Sequence, residues 1–333
     1  MTIFTKNKTI NLFIKLTIVS LLAWVIYKNI FGKQDIDEIW SLFLENLQRQ
    51  NISWLLVAIF LMPINWIFET LKWRVLIQSV EKLSFGKSFA AIIAGVTLSI
   101  FTPNRIGEYG GRVLFVKPEN NWKSVIATLV GSFSQLLVIL SFGMLGFGYF
   151  VSHYFEVEPH LLQGVIFIMM ALIGLMFFGF YNIELMIPVF KKIPHIYKLK
   201  RFFKDIVVLR NYDSKILSKA LGFAFLRYTV YTFQYLLLLH FFGINITLIE
   251  GLSGIATIFI LQTSIPLPPL VGLIVRSEIA ILVWGIFSSN ELSILAATFV
   301  LWILNLIIPA LFGTAFIANI NVLKSLGYDK KKN

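Results

Sequence analysis

Apolar residues recur along the chain in runs long enough to cross a membrane, and shorter polar segments separate these runs. A helix of about 20 residues crosses the roughly 30 Å hydrocarbon core of a bilayer. The pattern therefore predicts an all-α membrane bundle that forms a single integral membrane domain over residues 1–333. About six full spans are predicted, at residues 10–31, 52–72, 123–151, 160–181, 218–242 and 291–319.

Two further apolar stretches, residues 88–117 and 251–287, are interrupted by prolines. In each, an apolar run of roughly 15 residues precedes the prolines, and that length gives only about 22 Å of helix. Neither half crosses the hydrocarbon core comfortably alone. We predict two broken or re-entrant helical hairpins. The pattern does not distinguish a re-entrant hairpin from two full spans, because both return the chain to the side from which it came.

The Lys and Arg residues predict the orientation of the chain. They concentrate in segments 1–15, 72–87 and 191–219 and in the tail 321–333, whereas segments 153–160, 243–250 and 288–291 contain none. Cytoplasmic loops carry the excess of Lys and Arg in membrane proteins. Both termini are therefore predicted to be cytoplasmic, with the first hairpin open to the cytoplasm and the second open to the outside.

This arrangement predicts an inverted repeat. Repeat 1, about 52–151, has the order span, hairpin, span, and repeat 2, about 218–319, has the same order with the opposite orientation. A basic cytoplasmic connector, about 183–217, lies between them. Inverted repeats with broken helices are common in transporters, whose substrates bind where the half-helices converge.

Composition supports a membrane protein and excludes several kinds of site. Hydrophobic residues make up 57% of the chain, charged residues only 14%, and cysteine is absent, so disulfides and thiolate chemistry are excluded. The four histidines have no metal-ligand spacing, and no cofactor is predicted. Membrane topology explains the net charge of +12, and no nucleic-acid partner is expected. Two amphipathic segments, 35–48 and 195–209, are predicted to lie at the membrane interface.

The stretch "TPNRIGEYGGRV" places charged residues inside the first hairpin. Thr102 is predicted to cap a helix whose first turn contains Pro103. That helix would present Arg105, Glu108 and Arg112 on one face. Charged residues inside a membrane pair with one another or face a polar cavity. Two interpretations stay open: an internal cluster that fastens the hairpin, or a site that handles substrate.

Further arginines come from the second repeat, and their excess over nearby acids favours an anionic ligand. Arginine suits phosphate because two of its N–H donors match two phosphate oxygens. The half-helix N-termini at Pro103 and Pro268 would add their positive dipole ends. The candidate substrate-binding residues are Arg105, Glu108, Arg112, Arg227, Arg276 and Glu278. The candidate structural residues at the hairpin tips are Thr102, Pro103, Gly107, Pro266, Pro268 and Pro269.

Other polar and small residues inside the spans are predicted to serve packing. Three glutamines are expected to make hydrogen bonds between helices, and three glycines in "SFGMLGFGYF" are expected to permit close helix approach. These residues are Gln135, Gln234 and Gln262, and Gly143, Gly146 and Gly148.

The segments "FTPNRIGEYGGRVLFV", "LPPLVGLIVRSEIAILV" and "FVLWILNLIIPALFGTAF" resemble the lysylphosphatidylglycerol synthase transmembrane-region family, over roughly residues 50–320. These are flippase-like integral membrane proteins, whose first motif reads Pro-Gly-Gly-x-Gly-Glu followed by Arg and whose second reads Pro-Gly-Gly-x-Gly-x-Arg-Glu. The motif residues that this chain keeps are Pro103, Gly107, Glu108, Arg112, Pro268 and Arg276. It departs from the motifs at Asn104, Arg105, Pro269 and Val271.

The resemblance implies a lipid translocator or lipid-associated protein of the bacterial plasma membrane. The synthases that share this region carry a C-terminal aminoacyl-transferase domain, and this sequence stops at Asn333, so synthase activity is not expected. The leading hypothesis is a flippase for a lipid with an anionic, phosphate-containing head group, and not an enzyme. A lipid-modifying transferase and a non-transporting assembly partner are the alternatives. Membrane lipids are the expected partners, and a homo-oligomer is left open.

Overall fold

A computed structural model describes residues 9–18, 20, 21, 24, 36–48, 52–100, 102, 105–185, 187–188, 205–263 and 269–327, and the regular elements within these ranges are all helical. Four helical stretches are long and apolar enough to cross a membrane: Ile52–Ile77, Pro118–Tyr154, Pro159–Tyr181 and Glu291–Ala318. The chain is thus an all-α membrane protein. The predicted span 10–31 is described only in part.

The helices follow the predicted order along the chain, and most of the predicted bounds are close to the observed ones. The main helices are α1 (Thr9–Ile18), α2 (Ile36–Gln48), α3 (Ile52–Ile77), α4 (Phe85–Ser99), α5 (Gly107–Val113), α6 (Asn121–Tyr154), α7 (Pro159–Tyr181), α8 (Ser214–Phe241), α9 (Leu248–Thr263), α10 (Pro269–Trp284) and α11 (Glu291–Ala318). The helix α11 contains a π-helical turn, Ile303–Ile307.

Both interrupted stretches form pairs of short helices. The first pair is α4, of 15 residues, with α5, of 7 residues, and the second is α9 with α10, each of 16 residues. All four are shorter than the roughly 20 residues that one full crossing needs. The two connections contain Pro103, Pro266 and Pro268, which lie outside the described residues.

The helices α3 and α8 pack against each other in antiparallel directions. Near one end of the pair, the rings of Trp54 and His240 lie 5.5 Å apart. Further along, the Gln234 side chain donates a hydrogen bond to the Ala58 carbonyl at 2.8 Å. Residue numbers therefore rise along α3 as they fall along α8. The predicted role of Gln234 as an interhelical hydrogen-bond partner is confirmed.

The last span of each predicted repeat packs against the first arm of the other hairpin. On α6, Gly146 lies so close to α9 that an added Cβ would stand 2.3 Å from the Cβ of Ala256. On α11, Gly313 lies equally close to α4, and an added Cβ there would stand 2.1 Å from the Thr97 hydroxyl. Gly143 also faces α9, at Ile260. The prediction that the α6 glycines permit close packing is confirmed.

Two peripheral helices complete the described bundle. The amphipathic segment predicted at 35–48 is the helix α2, which buries Ile39 and exposes 59% of Trp40. The helix α7 has no buried residue in its most apolar window, so its surface is left for lipid. The amphipathic segment predicted at 195–209 is described only from residue 205, where Ile206–Asn211 forms a 3₁₀ helix.

Candidate functional site

A buried carboxylate on α3 is the centre of the most highly charged cluster in the described part of the chain. Glu69 is 4% exposed, and its two oxygens contact three cations. Its Oε2 lies 2.7 Å from Lys72 Nζ and 3.0 Å from Arg227 Nη1, and its Oε1 lies 2.8 Å from Arg112 Nη2. One acid therefore joins α3 to the first hairpin and to α8.

A second carboxylate extends this cluster toward the hairpin tip. Glu108 Oε1 lies 2.6 Å from Arg105 Nη2, and its Oε2 lies 3.2 Å from Arg112 Nη2. The predicted grouping of these three residues is confirmed. Arg112, which is 2% exposed, bridges Glu108 and Glu69.

The start of the hairpin's second helix differs from the prediction. The helix begins at Gly107 and not directly after Thr102, so its N-terminus is not at Pro103. Thr102 still acts as a cap, because its hydroxyl accepts a hydrogen bond from the Gly107 N–H at 2.6 Å. Two residues before the helix, Arg105 has a backbone φ of 58°. This value lies in the left-handed region, which is unfavourable for residues with a Cβ.

Glycines hold the two arms of this hairpin in backbone contact. A Cβ at Gly107 would stand 2.0 Å from the Leu98 carbonyl oxygen, and a Cβ at Gly111 would stand 2.3 Å from the Gly95 Cα. No side chain fits at such distances, so the arms can approach this closely only because these positions are glycine. The close contact fixes Glu108 and Arg112, which lie on the same short helix, against α4.

Sequence reasoning assigned Lys72 to a cytoplasmic loop, and that assignment is wrong. The helix α3 continues to Ile77, five residues beyond the predicted span end, and Lys72 is 1% exposed within it. The spacing of Glu69 and Lys72, three residues apart on a helix, was the signal that could have identified this pair. Lys72 Nζ also donates a hydrogen bond to Gln135 Oε1 at 3.2 Å. This contact, between α3 and α6, confirms the predicted interhelical role of Gln135.

Two tryptophans of α3 stabilise the buried guanidinium groups. The Arg227 guanidinium lies 5.3 Å from the Trp66 ring centroid, and the Arg112 guanidinium lies 5.9 Å from the Trp73 ring centroid. Such cation–π contacts are stronger where water is excluded. They hold the arginines in place without neutralising their charge.

The cluster lines a cavity of about 250 Å³ whose lining contains both charged and apolar side chains. The charged lining residues include Lys72, Arg105 and Arg227, and the apolar ones are Leu136 and Ile139 of α6. Arg105, with 39% of its side chain exposed, is the most accessible of the paired arginines in the cluster. A cavity of this kind can accommodate a charged group joined to an apolar one.

The cluster carries excess positive charge and unused hydrogen-bond donors. Four cations, Lys72, Arg105, Arg112 and Arg227, face two acids, Glu69 and Glu108, which leaves a formal charge of +2. The Nε–H groups of all three arginines are buried and have no acceptor within the described part of the chain. Arg105 and Arg227 line the cavity. Buried N–H groups without acceptors cost free energy, so an anion in the cavity beside these two arginines would be stabilised.

Arg276 and Glu278, the predicted substrate-binding residues of the second hairpin, are not among the residues that line this cavity. Arg276 is half-buried on α10, interacts electrostatically with Arg105 and Tyr231, and makes no ion pair with a described residue. Glu278 is exposed and does not line the cavity. Pro269 is the first described residue of α10, and the predicted helix start at Pro268 lies outside the described residues.

Comparison with known families shows the family to which the chain belongs. Residues 12–313 match the family described as the lysylphosphatidylglycerol synthase TM region. The chain belongs to this family. It is therefore a membrane protein of a family tied to lipid handling. No curated protein matches the sequence.

The departure of this chain from the family motif coincides with the strained residue. The motif has glycine at the positions of Asn104 and Arg105, and glycine adopts a φ of 58° without penalty. An arginine in this conformation costs about 1–2 kcal/mol relative to an ordinary backbone. Arg105 contacts Glu108 and lines the cavity, with 39% of its side chain exposed.

Proposed function

We propose that the protein binds a lipid with an anionic, phosphate-containing head group and translocates it across the bacterial plasma membrane. The observation that supports this most directly is the cavity lined by cations, with a formal excess of two positive charges and unpartnered arginine Nε–H groups. In this proposal the protein moves the lipid and does not modify it chemically.

The mixed charged and apolar lining of the cavity supports a lipid ligand. An excess charge in a low-dielectric site is unfavourable until a counter-charge with good hydrogen-bonding geometry arrives. A phosphate provides that charge, and its oxygens match the planar donors of arginine. The apolar side chains Leu136 and Ile139 can contact the part of the lipid next to the head group.

The packing supports the inverted repeat that such a translocation mechanism would use. The helices α3 and α8, the first spans of the two repeats, run antiparallel, as equivalent helices of opposite orientation must. The reciprocal packing of α6 on α9 and of α11 on α4 relates the repeats in the same way. The single span α7 between the repeats carries the chain to the other side, so that the second repeat starts from the opposite face.

The loop charges support cytoplasmic termini in this proposal. Although Lys72 is buried, three basic residues lie at or near the connection of α3 to α4 and are not buried: Arg74 in the last turn of α3, Lys82 between the helices and Lys87 in the first turn of α4. That loop is therefore positively charged and belongs on the cytoplasmic side. The charged cavity then lies nearer the cytoplasmic leaflet, because Glu69 is about 12 Å along α3 from Ile77.

A lipid-scrambling assay on purified protein in liposomes tests this function. Fluorescent phosphatidylglycerol in the outer leaflet would be reduced with dithionite, and the protected fraction would be followed over time. We expect the wild-type protein to accelerate exchange and the Arg105→Gln variant to lose most of that acceleration. Arg210→Gln is the matched control, because Arg210 is exposed on the connector, away from the cavity. Exchange no faster than in protein-free liposomes would refute translocation.

A further inference from the structure

Each carboxylate oxygen of the two acids in the cavity already contacts at least one cation, although Glu69 Oε2 makes no hydrogen bond with a described residue. The oxygens of Glu69 contact Lys72, Arg112 and Arg227, and the two oxygens of Glu108 contact Arg105 and Arg112. An ethanolamine or aminoacyl amine would need an acidic partner of its own inside the membrane. Here it would instead meet an excess of cations, so the cavity disfavours zwitterionic and cationic lipids.

The charge of the cavity also distinguishes among anionic lipids. A phosphate diester carries one negative charge, whereas a phosphate monoester carries close to two above its second pKa of about 6. Only the monoester offsets both excess positive charges of the cluster. Charge balance matters here because opposite charges attract more strongly in a low-dielectric site than in water.

The available donors favour a monoester for a second reason. The Nε–H groups of Arg105 and Arg227 belong to residues that line the cavity and have no acceptor among the described residues. Tyr109 also lines the cavity. A monoester presents three unsubstituted oxygens to these donors, whereas a diester presents two. Each additional acceptor satisfies a donor that is otherwise buried without a partner.

We propose that the cavity selects a lipid phosphomonoester in its dianionic form, in preference to phosphodiester and zwitterionic lipids. This inference rests on the proposed function and names its substrate class. The apolar lining residues Leu136 and Ile139 favour a lipid over a soluble phosphomonoester.

Calorimetric titration of the full chain in detergent micelles at pH 7 tests the inference. The matched probes are dioctanoyl phosphatidic acid, a monoester, and dioctanoyl phosphatidylmethanol, a diester that differs by one methyl group and one charge. Dioctanoyl phosphatidylethanolamine and glycerol 3-phosphate are the zwitterionic and soluble comparisons. We expect phosphatidic acid to bind about tenfold more tightly than phosphatidylmethanol and far more tightly than the other two probes. In Arg105→Gln the preference should shrink, whereas in Arg210→Gln it should not.

The outcomes separate this inference from the function on which it rests. Equal affinity for the monoester and the diester, with both lost in Arg105→Gln, would overturn the inference and leave an anionic-lipid site in place. Equal affinity for phosphatidic acid and glycerol 3-phosphate would overturn the assignment to a lipid. If none of the probes bound, both the inference and the proposed function would fail. Tight binding of phosphatidylethanolamine would contradict the charge argument directly.

Discussion

The charge of Glu69 is the most consequential charge in the cluster, and replacing it with glutamine tests the whole arrangement. Glu69→Gln keeps the size of the side chain and one acceptor oxygen but removes the negative charge. Lys72 and Arg227 would then have no acid partner among the described residues, whereas Arg112 would keep Glu108. Two of the three contacted cations would be left uncompensated inside the protein.

The size of the effect follows from the distances and the burial. The three contacts of Glu69 span 2.7 to 3.0 Å, and Lys72 and Arg112 are 1% and 2% exposed. Removing one partner of a buried ion pair costs about 3–5 kcal/mol, because the remaining charge stays desolvated. For a chain of this size we expect the apparent melting temperature to fall by about 5–10 °C.

Thermal unfolding in detergent, followed by intrinsic fluorescence, measures this change. Glu119→Gln is the matched control, because Glu119 is exposed between α5 and α6. The double variant Glu69→Gln/Lys72→Met should melt above Glu69→Gln alone, since the second substitution removes one uncompensated cation. An unchanged melting temperature in Glu69→Gln, or a double variant less stable than the single one, would refute the reasoning.

Three further predictions concern the hairpin and the topology. Gly111→Ala should destabilise the protein by about 2 kcal/mol or more, because the new Cβ would stand 2.3 Å from Gly95 Cα. Gly110→Ala is the control and should melt like wild type, because its Cβ would meet only Leu98 Cδ1, at 3.9 Å. Arg105→Gly should be about 1 kcal/mol more stable than Arg105→Gln, since glycine removes the left-handed strain, while both lose lipid binding; equal melting temperatures would contradict this explanation. Cysteines placed at Ser289 and Asn245 should react with an impermeant maleimide from outside and those at Asn120 and Ser214 should not, and outside labelling at Asn120 would exclude the inverted repeat.

Helix positions could be predicted from the sequence because the length of an apolar run is a local property. The helices α6, α7 and α11 lie close to the predicted spans, and the short hairpin helices follow from prolines placed between apolar halves. Helix ends were less predictable. The helix α3 runs past Lys72, because a charge that pairs with Glu69 one turn earlier can stay inside the bundle.

The site was predictable only as a set of residue types. The sequence indicated Arg105, Glu108 and Arg112 because they share a helical spacing within one short stretch. It did not show that Glu69 forms ion pairs with cations from three helices, because those contacts depend on how α3, α5 and α8 pack. The left-handed backbone conformation of Arg105 could not be predicted from the sequence either. A Thr-Pro pair commonly begins a helix, whereas here the helix begins at Gly107.

The cluster contains a buried part and an accessible part, and the difference bears on how a head group could enter. Arg112 and Arg227 contact Glu69 deep in the bundle, and their guanidinium groups lie over tryptophan rings. Arg105 contacts one acid, Glu108, and 39% of its side chain is exposed. It is therefore the arginine that can leave its partner at the smallest cost. A phosphate that replaces the Glu108 carboxylate keeps the Arg105 charge paired throughout the exchange, so in the proposed mechanism no step exposes an unpaired guanidinium to the hydrocarbon core.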